Sequence, residues 1–295
     1  DRRMNSEDNK NREMHGEPDL WDKNWKNIMV RNGPKKSLFT QGEPNTVSQL
    51  IHTAYAKDLF YLAGDSDRSK RYLELGCGRG TTSMYLANWG CRVTLADLSP
   101  HALELAKEKF KEEGLHANDF IKADAEATRL PSNSYDYIYN IGLLEHFEDP
   151  VPVLREAWRL LRPGGIIFMV IVPVLSFDRR WLNELFFAPW RLVIQPLKGL
   201  IKKIIGWEPK EDGRYIRTSY KRSHYVSWMK ELGATNISCI PYNPFLITYS
   251  EQTYPMKLIF KLYKHHYMSR TKRKHYPLLR AWNSTAACDL LICKK

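Results

Sequence analysis

At 295 residues the chain is long enough for one large α/β domain with elaborations or for two small domains. Five cysteines, Cys77, Cys91, Cys239, Cys288 and Cys293, are odd in number and form no Cys-x-x-Cys pair. This excludes a disulfide framework and a zinc site, points to a reducing compartment, and leaves no metal expected. The formal net charge of +12 is uneven: residues 1–173 carry −2, 174–222 carry +6, 223–250 carry none and 251–295 carry +8. The attraction for anionic partners that a basic surface brings therefore belongs to two later segments.

Residues 1–18 are polar and of mixed charge, begin with Asp1 as a trimmed chain would, and lack the apolar stretch of a secretion signal. They offer too little apolar surface to order themselves, so a flexible N-terminus is expected. Residues 19–70 read as a helical segment, in which Trp21, Trp25, Ile28 and Met29 are spaced for one helix face. From residue 71, apolar runs alternate with amphipathic stretches, the pattern of parallel strands joined by crossover helices. Strands are predicted at 71–77, 92–98, 120–125, 135–141 and 166–172, and helices at 81–88, 100–113 and 151–161. The second helix is the clearest, with Ser99 as N-cap, Pro100 in the first turn and Gly114 at its end.

The rhythm breaks at residues 174–222, resumes with a helix at 223–232 and a strand at 236–240, breaks again at 243–284, and closes with a strand at 286–293. The prediction is a Rossmann-like α/β fold: a seven-stranded, mostly parallel sheet flanked by helices, with a helical N-terminal segment and two insertions.

The chemistry concentrates at the strand tips. Leu73-Glu74-Leu75-Gly76-Cys77-Gly78-Arg79-Gly80 is an apolar strand running into a glycine turn and then a helix, where backbone can approach a ligand. The next strand ends at Asp97, 19 positions after Gly78, where a doubly wound fold places an acid against ribose hydroxyls. The third ends in Ala123-Asp124-Ala125, and the fourth leads into Leu143-Leu144-Glu145-His146-Phe147. A dinucleotide is the lesser reading, because its Gly-x-Gly-x-x-Gly turn is one residue longer than this one. Cys77 reads as a small buried apolar residue.

This ordered set resembles the class I S-adenosylmethionine-dependent methyltransferases, particularly the small-molecule, UbiE-like branch. The likeness is close over residues 71–173 and runs through 223–295 by strand order alone. The resemblance implies S-adenosylmethionine as cofactor, with Glu74, Gly76, Cys77, Gly78 and Gly80 at its methionine end and Asp97 on the ribose. It places Leu98 against the adenine, Asp124 and Ala125 at the adenine edge, and Asn140, Ile141 and Gly142 beside the sulfonium. It also implies that the N-terminal segment, residues 19–70, folds over the site as a lid, with plain packing against the sheet's helices as the alternative.

Methyl transfer from a sulfonium asks of the protein mainly positioning, exclusion of water and, where needed, a base. His146, just past the fourth strand, is the candidate base, and a helix-capping or loop role is the alternative. His224, beside Tyr220 and Tyr225, is a second candidate.

The insertions speak to the acceptor. Leu197, Leu200, Ile201, Ile204 and Ile205 share a helix face among lysines, and Trp181 to Trp190 add aromatic surface flanked by arginines. Residues 256–274 repeat the theme, so residues 179–207 and 256–274 read as surfaces for an anionic membrane, an apolar acceptor pocket or a partner. The expected protein is cytoplasmic, with a peripheral place at the inner face of a membrane left open, and acts on a small-molecule or lipid-like acceptor. Two other functions stay open: an RNA methyltransferase using the basic cluster at 270–275, and a non-catalytic cofactor-binding scaffold. The first is weakened because Asn140-Ile141-Gly142-Leu143 is not the Asn/Asp-Pro-Pro-Tyr/Phe type. Oligomeric state is left open.

Overall fold

The computed structural model describes residues 21–27, 38–64, 68–172, 220–243, 261–262, 264–265 and 288–295. The apolar helix predicted around Leu197, the aromatic stretch before it, the 256–260 apolar cluster, the 270–275 basic cluster, Ile28, Met29 and residues 1–18 lie outside the described residues.

A short helix α1 (21–27) precedes α2 (Val47–Leu62), whose first turn is capped by the Thr46 hydroxyl accepting from the Gln49 N–H at 3.1 Å. Then follow β1 (Arg71–Leu75), α3 (Thr81–Asn88), β2 (Arg92–Asp97), α4 (Pro100–Glu112), β3 (Asp119–Lys122), β4 (Tyr135–Ile141), α5 (Val151–Leu160) and β5 (Leu161–Ile171). After the first insertion come α6 (Arg222–Glu231), β6 (Thr235–Tyr242) and, after the second, β7 (Cys288–Lys294).

These form one seven-stranded sheet in the order β3-β2-β1-β4-β5-β7-β6. Strands β1 to β5 pair in parallel, while β7 runs antiparallel to both β5 and β6. The chain order reverses between β1 and β4, which leaves a crevice at the carboxyl ends of those two neighbours.

The predicted sheet stands, with shifts at its ends. β3 stops at Lys122 because Asp124 turns the chain, its side chain accepting the Glu126 N–H at 2.9 Å. β5 begins at Leu161 rather than 166, since Leu161 already pairs with Tyr135 before the Gly164-Gly165 bend. A Cβ at Gly165 would stand 2.8 Å from the Asp136 carbonyl oxygen, so only glycine lets these strands approach there.

Both faces of the sheet are covered. One buries Tyr72, Val93, Leu95, Tyr137, Tyr139 and Phe168 beneath residues of α2, α3 and α4; the other buries Leu73, Leu75, Ile138, Ile167 and Met169 beneath α5 and α6. The strands lie under helices on both sides and so read as near-continuous apolar runs. Tyr72 and Tyr137, register partners on β1 and β4, stack with ring centroids 4.8 Å apart. α2 is tied to the sheet's far edge by buried polar contacts: the Tyr242 hydroxyl donates to Asp58 at 2.5 Å, and the Asn243 amide donates to the Tyr55 hydroxyl at 2.7 Å. No helix among the described residues is long and apolar enough to cross a membrane.

Candidate active site

The crevice at the strand tips opens into a cavity of about 350 Å³, within the roughly 300–1,000 Å³ of a typical small-ligand site.

Its floor is the β1–α3 turn. Gly78 has φ +52°, and a Cβ there would sit 2.6 Å from Cζ2 of Trp25. The turn is thus glycine for two reasons, its left-handed backbone and the indole seated on it. The Gly78 N–H donates to Asp97 Oδ2 at 2.8 Å, and the Ser99 N–H donates to Asp97 Oδ1 at 2.9 Å. These two bonds fix the carboxylate at the end of β2 and leave each oxygen a lone pair, the acceptor set that two vicinal hydroxyls require. Burial raises the Asp97 pKa above the usual carboxylate value, although the N–H groups of Ser99, Gly78 and Leu98 oppose the rise.

Glu74 lies deeper on β1, 3% exposed, opposite Tyr139 in the β1–β4 register. Ser83 Oγ donates to its Oε2 at 2.5 Å and shares a 2.6 Å hydrogen bond with the Tyr139 hydroxyl. Burial pushes the Glu74 carboxyl up to about 7, the charge of Asp97 adding to the rise and the Ser83 and Tyr139 hydroxyls opposing it. Cys77 is buried beside them. Its thiol is held well above its ordinary value by burial and then by Asp97 and Glu74, so it is no nucleophile at neutral pH.

The mouth is shaped by β3 and β4. Asp124 is exposed and Ala125 buried, both lining the cavity with Leu98. Ile141, Gly142 and Leu143 follow β4, and a short 3₁₀ turn, Leu144–His146, brings His146 to the rim. The His146 side chain is 16% exposed, with Nε2 4.0 Å from Glu145 Oε1, close enough for charge attraction but beyond a hydrogen bond.

α1 lies across this mouth. Trp21 meets His146 edge-on with ring centroids 4.7 Å apart, Trp25 covers Gly78, and both indoles line the cavity. Between them Asp22 accepts from Ser99 Oγ at 2.7 Å and the His101 N–H at 3.2 Å, and pairs with His101 Nδ1 at 2.7 Å. Ser99 is also the α4 N-cap, accepting the Ala102 N–H at 3.2 Å. One hydroxyl therefore joins α1 to the loop that carries Asp97.

Of the residues predicted for the cofactor, Glu74, Gly76, Cys77, Gly78, Asp97, Leu98, Asp124, Ala125, Ile141 and Gly142 line this one cavity, together with His146. Gly80 and Asn140 do not. Gly80 starts α3 at φ +65° with its open side against Leu95, where a Cβ would come within 2.4 Å, so it serves helix–sheet packing. Asn140 alternates with Tyr139 and Ile141 along β4, so its side chain joins the Ile138 face and is fully buried, its amide without a hydrogen-bond partner. His224 is also elsewhere, exposed on α6 and stacked on Trp228.

The structure adds His52 from α2, whose Nδ1 lies 3.1 Å from Thr82 Oγ1, and the side of the turn bearing Arg79. Burial, with the Arg79 charge, holds the His52 imidazole down at about 4, hence neutral. No local signal marks His52, because only tertiary packing of α2 on α3 brings it to the site.

A family model described as "Methyltransferase domain" matches residues 73–169. The ubiquinone biosynthesis O-methyltransferase of Cereibacter sphaeroides is 35% identical over 181 residues, covering 57% of this chain and 70% of that protein. The chain belongs to the class I S-adenosylmethionine-dependent methyltransferases. The rice (Oryza sativa subsp. japonica) 2-methyl-6-phytyl-1,4-hydroquinone methyltransferase 2, chloroplastic, is similar at 29% identity over 172 residues, 58% of this chain and 40% of that protein. The chain spans only about two fifths of the first two curated relatives it matches, 40% and 39% of their lengths. Among solved structures, the YcgJ protein of Bacillus subtilis has a TM-score of 0.51 at 18% identity, covering 82% of this chain and 98% of that one. Phospholethanolamine N-methyltransferase 2 of Haemonchus contortus has the same TM-score at 17% identity, covering 86% and 54%. At these identities the likeness is one of fold. The glycine bend, the Asp97 carboxylate and buried Glu74 line one cavity, an acceptor set that would fit an adenosyl donor.

Proposed function

We propose that this protein transfers a methyl group from S-adenosylmethionine to a small, lipid-like acceptor bearing a hydroxylated ring. The observation that carries the reading is the convergence of the Gly78 bend, the Asp97 carboxylate and buried Glu74 on one cavity roofed by Trp21 and Trp25. The acceptor class is supported by the similar proteins, one named for a phytyl hydroquinone and the other for O-methylation in ubiquinone biosynthesis.

S-adenosylmethionine supplies an already activated methyl on sulfur, so the protein's work is orientation and dehydration. Asp97 accepts from the ribose hydroxyls, and Glu74, ionised, accepts from the ammonium. Leu98 packs on the adenine, while Asp124 and Ala125 meet its edge. Ile141 to Leu143 flank the sulfur, and Trp21 and Trp25 keep water out while α1 is down. His146, at the rim, takes the acceptor's proton as its oxygen is alkylated, with Glu145 stabilising the charge that forms on the imidazole.

The test is to incubate the protein with S-adenosylmethionine and a panel of prenylated phenols and hydroquinones, then follow S-adenosylhomocysteine and a product heavier by one CH2 by mass spectrometry. Appearance of both supports the reading. Donor binding without turnover of any member defeats this acceptor class.

A further inference from the structure

The cavity carries its charges in separate places. Carboxylates come from the strand tips, Glu74 on β1, Asp97 on β2, and Asp124 and Glu126 after β3, and the roof is aromatic. The cationic group comes from the β1–α3 turn, where Arg79 stands half-buried with the neutral His52 imidazole near it and Thr82 bonded to that ring.

Arg79 is the anomaly. A guanidinium removed from water ordinarily recovers the lost hydration from a carboxylate, because an uncompensated buried charge is costly. Among the described residues none pairs with Arg79, and burial is the one influence acting on its titration, lowering it with no acid to offset the fall. Glu74 and Asp97 do not serve: the described hydrogen bonds of the first come from Ser83 and Tyr139 and those of the second from the N–H groups of Gly78 and Ser99. His52 cannot neutralise it either, an imidazole being neutral or cationic.

The geometry of donors around the gap is defined. A guanidinium offers parallel N–H groups that match the two oxygens of a carboxylate. The imidazole and the Thr82 hydroxyl share one hydrogen bond, leaving the ring's second nitrogen for a further contact. We propose that Arg79, His52 and Thr82 form an anion subsite in the cavity wall that takes a carboxylate. The inference rests on the methyltransferase reading for the identity of the cavity's occupants. Two molecules could bring the carboxylate: the donor, through its amino-acid end, or an acceptor that carries an acid group.

Calorimetric titrations of the wild type and Arg79→Gln separate the sources. The probes are S-adenosylhomocysteine, decarboxylated S-adenosylmethionine, which keeps the ammonium and lacks the carboxylate, and benzoate, added to free and to S-adenosylhomocysteine-saturated protein. If the donor supplies the acid, Arg79→Gln weakens S-adenosylhomocysteine by about 10- to 100-fold, the range of a charge-assisted hydrogen bond, and shifts the decarboxylated compound by less than about threefold. If the acceptor supplies it, S-adenosylhomocysteine binding is unchanged and benzoate binding to the saturated protein is lost. Arg79→Lys, which keeps the charge, retains most of the affinity in either case.

Equal weakening of both adenosyl compounds shows that Arg79 merely shapes the turn, and overturns the subsite. No change with any probe overturns it as well. A wild type that ignores S-adenosylhomocysteine defeats the methyltransferase reading instead, and benzoate on the free protein still reads the subsite, supporting it if Arg79→Gln abolishes binding and overturning it if not.

Discussion

Glu74 sets a pH dependence whose sign can be worked out. Its carboxyl is pushed up to about 7 from an ordinary 4.5, first by burial. The folded protein without donor therefore keeps a proton on Glu74 that the unfolded chain releases near 4.5. Between about pH 4.5 and 7 the folded state binds more protons, so its stability falls as pH rises through that window and levels off above it. At about 1.4 kcal/mol per pH unit, the gap corresponds to roughly 3 kcal/mol of stability surrendered by carrying the ionised carboxylate at pH 8. Donor binding has the opposite sign. An ammonium requires the carboxylate, so below pH 7 binding must first expel the proton, and affinity falls about tenfold per unit of acidification.

Glu74→Gln removes the proton and the charge together while keeping a partner for Ser83 Oγ. The variant should be more stable than wild type at pH 8, by up to about 3 kcal/mol, yet bind S-adenosylhomocysteine about 10- to 100-fold more weakly, with no slope between pH 5.5 and 8.5. Calorimetric titration across that range, with thermal unfolding of the free protein at each pH, measures both. A flat wild-type affinity between pH 6 and 7, or a slope that survives in the variant, refutes the reasoning.

Three further predictions follow from the same cavity. Asp97→Ala, which strips the acceptors from the ribose position, and Gly78→Val, which drives a side chain into Trp25, should each abolish donor binding by calorimetry while leaving the far-UV circular dichroism spectrum unchanged. His146→Ala should lower turnover by about 100-fold or more with donor affinity within about threefold; unchanged turnover removes it from proton transfer. Asp22→Ala, which frees α1 from Ser99 and His101, should speed release of S-adenosylhomocysteine in stopped-flow measurements by about 30-fold, the two bonds being worth roughly 1 kcal/mol each. An unchanged release rate means that α1 does not gate the donor.

Much of the site was legible because it is built locally. Strand, turn and helix are contiguous at residues 71–88, so spacing alone carried Glu74, Gly76 and Gly78 to a strand tip, and the same logic carried Asp97 and Asp124 to the tips of its neighbours. The failures were of side-chain direction. Gly80 and Asn140 lie in the right stretch of chain, but one faces Leu95 and the other, one step along a pleat of period two, faces away from the crevice. His52 was illegible for another reason: it sits on α2, whose apolar positions wrap most of its circumference, and nothing in the helix distinguishes it until Thr82 and Arg79 arrive from the turn.

This division separates the two halves of the chemistry. The donor is a fixed molecule, and the groups proposed to meet it are the strand-tip acids and glycines, whose places follow from the fold. The remaining wall is assembled from α1, α2 and the loop after β4, through Trp21, Trp25, His52 and His146, and its contacts cross wide stretches of sequence. Substitutions there leave the sheet and its glycine turn intact, since neither Trp21 nor His52 belongs to a strand. Exchanging α1 and α2 between related chains should therefore move acceptor preference while the strand-tip acids and glycines keep their places, with donor affinity changing only as far as Trp25, Asp22 and His52 reach it.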